Sequence, residues 1–173
     1  MNLSNFIETY KTSDKICNGL LNYYKKNKEY KLKRPDILNA TEVLFFNKSN
    51  NLDIGNFFKH LSICVSKYAK KYNLFNPVGT SITNKIQHYL PKTSYTTLHY
   101  ERDSINVKRQ LVYMLYLNTI KDKGGTEFPF QGKTFSAIKG NLLIWPADFT
   151  YPHKGIISST EEKYIATGWF EIR

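Results

Sequence analysis

The hydrophobic period of this chain changes near residue 80, and that change limits the folds open to it. Beyond residue 80, apolar side chains recur at alternate positions in short runs, the signature of half-buried strands. Strands are expected near Ile82–Leu90, Tyr95–Tyr100, Arg109–Asn118, Gly125–Phe128, Lys133–Ile138, Leu142–Trp145 and Lys163–Ile172. Turn formers separate them: Pro91-Lys92, Lys123-Gly124, Gln131-Gly132, Gly140-Asn141 and Pro152. Many short strands between turn signals make a sandwich or barrel.

Before residue 80 the spacing is helical. Phe6, Tyr10, Ile16, Leu20 and Tyr23-Tyr24 would share one face of a first helix. A second helix is expected over about Ile54–Tyr72, with Phe57, Phe58, Leu61, Cys64, Val65, Tyr68 and Ala69 as its apolar stripe. Glu42–Phe46 suggests a short strand, and Arg34-Pro35-Asp36 a turn. The expectation is an α+β chain forming one domain over residues 1–173, with 1–80 mainly helical support and 81–173 a jelly-roll core.

A length of 173 residues suits one domain. No run of eighteen apolar residues is present, and the first residues lack the basic-then-apolar pattern of a secretion signal. Cys17 and Cys64 have no metal or redox spacing and are expected to be reduced core residues, which fits a cytoplasmic setting in the producing cell or an infected host. The net charge of +11 could attract a polyanion. Lysine dominates over arginine and no aromatic-plus-Arg module is visible, so a solvated face is favoured over nucleic-acid binding.

The chemistry points to His99-Tyr100-Glu101. On a strand, residues i and i+2 face the same way, so His99 and Glu101 converge while Tyr100 faces out. A nitrogen and a carboxylate on one face are two parts of a 2-His-1-carboxylate triad, and His153, beyond the strand Leu142–Trp145, can supply the third. Three ligands on one side of an octahedral ion leave three positions open. Asp103 shares the face but lies further from His99. Lys163 falls on a face with Ile165, Thr167 and Trp169, where a buried ammonium needs an anionic partner. His60 and Cys64, four apart on a helix, lack further zinc ligands nearby, and Gly124-Gly125 opens no helix that could cradle a phosphate. His88 is expected to point away from the site if Tyr89 faces in.

These residues carry a resemblance. Gln87-His88-Tyr89, His99-Tyr100-Glu101, Leu115-Tyr116-Leu117-Asn118, Gly124-Gly125-Thr126-Glu127-Phe128, Gly140 through Pro146, Pro152-His153 and Lys163 through Trp169 resemble, in order and spacing, the prolyl 4-hydroxylase-like branch of the Fe(II)- and 2-oxoglutarate-dependent dioxygenases. The resemblance covers roughly residues 82–173. It implies a double-stranded β-helix barrel, Fe(II) held by His99, Glu101 and His153, and 2-oxoglutarate paired through its distal carboxylate with Lys163. It places Tyr89, Tyr116 and Thr167 near that co-substrate and makes Trp169 a wall of the pocket. Dioxygen is the other co-substrate, and ascorbate is a further family cofactor. The family more often has Asp where this chain has Glu101, a longer but still hard oxygen ligand. The implied reaction is hydroxylation of an unactivated C–H, foremost of a prolyl residue in a peptide or protein, with release of succinate and CO2. A free amino acid, another small molecule or a modified nucleobase is the alternative substrate, and a non-catalytic binding barrel the alternative class. The loops 76–83 and 102–108 are expected to choose the substrate, with Arg102, Lys108 and Arg109 suiting an acidic or polar peptide. The oligomeric state stays open.

Overall fold

The computed structural model describes residues 5–34, 40–76 and 78–173. In chain order its elements are β1 (Glu8–Lys11), α1 (Asp14–Lys26), β2 (Leu32–Lys33), β3 (Ala40–Phe46), α2 (Leu52–Tyr72), β4 (Val78–Thr80), β5 (Thr83–Tyr89), β6 (Arg109–Tyr116), β7 (Thr126–Phe128), β8 (Lys133–Phe135), β9 (Asn141–Pro146), β10 (Lys154–Gly155) and β11 (Lys163–Ile172). One sheet runs β1-β9-β6-β11-β5-β3-β2, with β4 also pairing β11, and a smaller sheet runs β10-β7-β8.

The two-residue period of the central strands divides the interior into two cores. On β6, Leu111, Tyr113 and Leu115 face the helices, whereas Val112, Met114 and Tyr116 face the smaller sheet. On β9, Leu142 and Ile144 join the helical core and Leu143 and Trp145 the other. The helices cover one face of the large sheet. Ser13 starts α1 by accepting from the Ile16 N–H, and Asn51 starts α2 by accepting from the Asp53 and Ile54 N–H groups. α2 ends on Asn73 in the left-handed region, which asparagine tolerates. Fully buried Phe57 and Leu61 on α2 each contribute about 1.5–3 kcal/mol by leaving water. A side chain at Gly19 of α1 would stand 2.7 Å from the Asp53 carboxylate, so glycine lets the two helices approach.

Several expectations needed correcting. Phe6 and Tyr10 are not on a helix: Glu8–Lys11 pairs antiparallel with β9, and the helix starts only after the Ser13 cap. Pairing at a sheet edge satisfies backbone groups that the local apolar spacing alone would have assigned to a helix. The first 80 residues also supply β2, β3 and β4 to the large sheet. Tyr95–Tyr100 is no strand; its one bridge joins His99 to His153. The stretch 76–83 contains β4, which pairs with β11 and so is not a free loop. Of the expected turn at Arg34-Pro35-Asp36, the last two residues lie outside the described residues.

Candidate metal centre and its cavity

The His99–His153 bridge sets two imidazoles side by side. Each backbone N–H donates to the other's carbonyl, at 3.1 and 2.8 Å, and the ring centroids are 4.4 Å apart. Each Nδ1 meets a carbonyl oxygen two residues back: Thr97 at 2.8 Å for His99, Tyr151 at 3.1 Å for His153. A carbonyl can only accept, so Nδ1 carries the proton and the neutral ring presents its lone pair on Nε2. Glu101 is anchored by its N–H to the Ala147 carbonyl at 3.1 Å. Its Oε1 lies 3.5 Å from His99 Nε2 and 3.8 Å from His153 Nε2.

Among the described residues, these three form the one cluster of at least three His, Cys, Asp or Glu side chains able to share an ion, with donor atoms all within 4.8 Å of one another. Ligands in cis positions about 2.1 Å from an ion stand about 3 Å apart, so a small inward movement would complete the set. The donor types suit a ferrous facial triad. The other carboxylate oxygen is already engaged: Trp169 Nε1–H donates to Oε2 at 2.9 Å, and Arg109 Nη1 lies 3.4 Å from it. Oε1 is left for a metal, and the outer partners fix the carboxylate's orientation. Burial acts to raise the Glu101 pKa, but His99, His153 and Trp169 outweigh it and hold it at about 2. Burial, with His99 adding to it, pushes His153 down to about 4. Both shifts favour the protonation states a metal requires, carboxylate and neutral imidazole.

The trio opens on a cavity of about 170 Å³ that also holds Lys163, Tyr89, Tyr116, Thr167 and Trp169. Lys163 is 5% exposed and donates to Ser94 Oγ at 2.7 Å and to the Ile156 carbonyl at 3.3 Å. Burial lowers its pKa to about 8. Its ammonium stands 5.0 Å from the Tyr89 ring centre, and the Tyr89 hydroxyl donates to Gln87 Oε1 at 2.9 Å. Tyr116 Oη and Thr126 Oγ1 are 2.7 Å apart. Thr167 donates to the Tyr113 carbonyl at 2.9 Å, which commits its one hydroxyl proton away from any carboxylate.

The structure thus brings all eight sequence-derived site residues to one cavity. Asp103 is not among them: it faces solvent and accepts from the Ile105 and Asn106 N–H groups. Arg102 pairs with Asp148 at 2.9 Å, and Arg109 stacks on Trp169 at 3.6 Å, so neither waits free at the mouth. His88 faces the other way, bonded to Glu162 and stacked on Tyr164. Cys64 is buried against His60, 3.5 Å away. Sequence reasoning did not find Ser94, Lys85, Gln87 or Arg34 in the cavity. Lys85 and Gln87 were within reach, since both share the inward face of Tyr89 on one strand.

The barrel, the three converging donors and the buried lysine define an oxygenase-type site. Residues 84–171 match the 2OG-Fe(II) oxygenase superfamily, and the chain belongs to that superfamily. No curated protein sequence matches the chain. Among solved structures, a viral collagen prolyl hydroxylase from Paramecium Bursaria Chlorella virus-1, in its 2OG complex, is similar with a TM-score of 0.77 at 19% identity, covering 98% of each chain. A Pseudomonas putida prolyl-4-hydroxylase gives a TM-score of 0.77 at 16% identity over 97% of this chain and 93% of its own. A Trichoplax adhaerens prolyl hydroxylase, in complex with a hypoxia inducible factor oxygen degradation domain peptide fragment, gives 0.70 at 15% identity over 98% and 84%. At these identities the likeness shows the fold: a double-stranded β-helix supported by helices.

Proposed function

We propose that this chain is an Fe(II)- and 2-oxoglutarate-dependent hydroxylase acting on a prolyl residue of a peptide or protein. The observation that carries the reading is one cavity holding both the His99–Glu101–His153 trio and the buried Lys163 ammonium. Bound iron, with 2-oxoglutarate and dioxygen, would supply the oxidative decarboxylation that yields succinate and CO2 and places one oxygen atom on a C–H. His99 and His153 would hold the ion through Nε2, each kept in that tautomer by a backbone carbonyl. Glu101 would hold it through Oε1 while Trp169 keeps Oε2 turned away. Lys163 would pair with the far carboxylate of 2-oxoglutarate through a free N–H while its bond to Ser94 holds the ammonium in place. Phe128 and Trp145, packed on His153, exclude water behind the site. The prolyl substrate is supported by the prolyl hydroxylases among the structural neighbours, one of them bound to a peptide.

The test is incubation of the purified protein with Fe(II), 2-oxoglutarate and proline-containing peptides, following peptide mass and succinate together. The expected result is a gain of one oxygen on proline, matched by succinate and absent in His153→Ala. Oxygen gained on another residue type, or by the His153→Ala variant, would overturn the reading.

A further inference from the structure

Lys163 is not the one lysine in the cavity. Lys85 lines it too, from β5, on the same inward face as Gln87 and Tyr89. The register between β5 and β11 fixes the separation of their backbone positions. Lys163 is opposite Tyr89 and Lys85 is opposite Thr167, four residues further along the pair. At about 3.3 Å per residue the two positions are roughly 13 Å apart along the strands. A five-carbon diacid with bonds of about 1.5 Å spans about 6 Å between its carboxylates, about half that backbone spacing, so the two lysines belong to different stretches of the cavity wall. The Lys85 ammonium stands 5.8 Å from the ring centre of Trp169, whose Nε1 holds Glu101.

Charge at this wall is unbalanced. Glu42 Oε2 already accepts from Arg34 Nη1 at 3.4 Å and from Gln87 Nε2 at 3.2 Å, so Lys85 shares a committed carboxylate, at 3.5 Å from Oε1. Glu101 is committed to the histidines, Trp169 and Arg109. The two positive charges of a bound ferrous ion would offset the two carboxylates of 2-oxoglutarate. Lys85 and Lys163 then leave positive potential in a partly enclosed, low-dielectric pocket, which draws in an anion. Lys85 is still open to the cavity, with its side chain 28% exposed.

We infer that Lys85 is a specificity-determining residue that recognises a carboxylate on the substrate close to the hydroxylated carbon, so that the preferred peptide has an acidic residue beside its target. The inference rests on the proposed peptide hydroxylase reading and adds the substrate's charge to it. Two sources offer the same chemistry, an acidic side chain or a free α-carboxylate, and separate peptides distinguish them.

The experiment compares capped proline peptides that differ in one flanking residue, Glu against Gln, together with a Gln peptide ending in a free carboxylate. Initial rates are read as kcat/KM at low and at physiological salt, and peptide binding is read separately by Trp fluorescence with a non-turnover metal in place of iron. The expected result is a preference of about tenfold or more for a carboxylate-bearing peptide, mainly in KM, that shrinks as salt screens it. Lys85→Met should bring the Glu-to-Gln ratio close to one, Lys85→Arg should largely restore it, and Lys85→Glu should turn it towards Lys-flanked peptides. Equal kcat/KM for all wild-type substrates, or a preference that survives in Lys85→Met, overturns the inference and leaves the hydroxylase reading standing. Hydroxylation of no peptide, with 2-oxoglutarate still consumed, overturns both.

Discussion

His153 sits deeper than His99, although the two are backbone partners. Its ring stacks on Phe128 at 5.3 Å and meets Trp145 edge-on at 5.0 Å, and its side chain is 8% exposed against 25% for His99. The two ligand positions therefore differ in what they hold together. Removing the His153 ring would therefore disturb the aromatic packing as well as take away a ligand.

Both His99→Ala and His153→Ala should lose stoichiometric Fe(II), because each removes one of three donors. Their apoproteins should differ. His153→Ala leaves a hole among aromatic rings and should be the less stable by about 2 kcal/mol, a Tm lower by about 4–8 °C for a chain of this size. Metal content by atomic absorption and Tm by calorimetry are the two readings. One metal per chain in either variant would remove the trio as the binding site.

Glu101 and Asp103 make a sharper comparison. Glu101→Ala should abolish metal binding. Asp103→Ala should leave it intact and lower stability only slightly, because that carboxylate caps the exposed Ile105–Asn106 turn. Trp169→Phe tests the outer support by removing the donor to Glu101 Oε2. A loss of about 10–100-fold in metal affinity is expected from such a partner. Equilibrium titration with Fe(II) under anaerobic conditions measures all three, and a wild-type affinity in Trp169→Phe would mean that Arg109 alone orients the carboxylate.

Most of the fold and the site could be read from sequence because both rest on strand alternation. The inward set on β11, Lys163 with Ile165, Thr167 and Trp169, follows from the period of two and needs no tertiary information. His99 and Glu101 converge as expected, but for a different reason: their segment is not a strand, and the convergence comes from the bridge to His153 and the bonds to Ala147. What could not be read depends on long-range pairing. β1 looks helical until β9 is placed beside it, and Ser94 has no sequence mark because its role depends on Lys163, 69 residues away. Lys85 looks like any strand lysine until the register places it opposite Thr167 on the cavity wall, four residues along from Lys163.

Ser94 and Gly155 should be coupled. A methyl group at Gly155 would run into Ser94 Oγ, well inside contact distance, and would push the hydroxyl off Lys163. Gly155→Ala should lower Tm and weaken 2-oxoglutarate binding several-fold, in line with a lost hydrogen bond of about 1 kcal/mol. Adding Ser94→Ala removes the obstructing oxygen, so the double variant should be more stable than Gly155→Ala alone. Simple additivity of the two stability losses would show that the strain at Gly155 falls on the Tyr95 carbonyl instead.

Lys163 gives the most complete test, because its burial acts on stability and on binding with opposite signs. Its pKa is lowered by burial to about 8, against 10.5 for an ordinary lysine. Below pH 8 the folded and unfolded chains both carry the proton, and the folded state bears the full cost of a buried charge. Between pH 8 and 10.5 the unfolded chain binds the extra proton, so this residue's contribution to stability rises with pH. The cost at neutral pH is roughly 2–4 kcal/mol at about 1.4 kcal/mol per pH unit. Lys163→Met keeps the apolar stem and removes that cost, so the apoprotein should melt higher than wild type at pH 7, with the gap closing towards pH 10. 2-Oxoglutarate binding runs the other way, since the co-substrate needs the ammonium. The apparent Kd of wild type should rise above pH 8, approaching tenfold per unit, whereas Lys163→Met should bind at least about tenfold more weakly at pH 7 and show no such rise. Lys163→Arg should bind more tightly than Lys163→Met and also stay flat, because a guanidinium keeps its charge across this range. Calorimetric titration of 2-oxoglutarate from pH 7 to 9.5, with Mn(II) in place of iron, measures each arm. A Kd for Lys163→Met equal to that of wild type at pH 7 would transfer the carboxylate anchor to another cation of the cavity wall, Arg34 or Lys85.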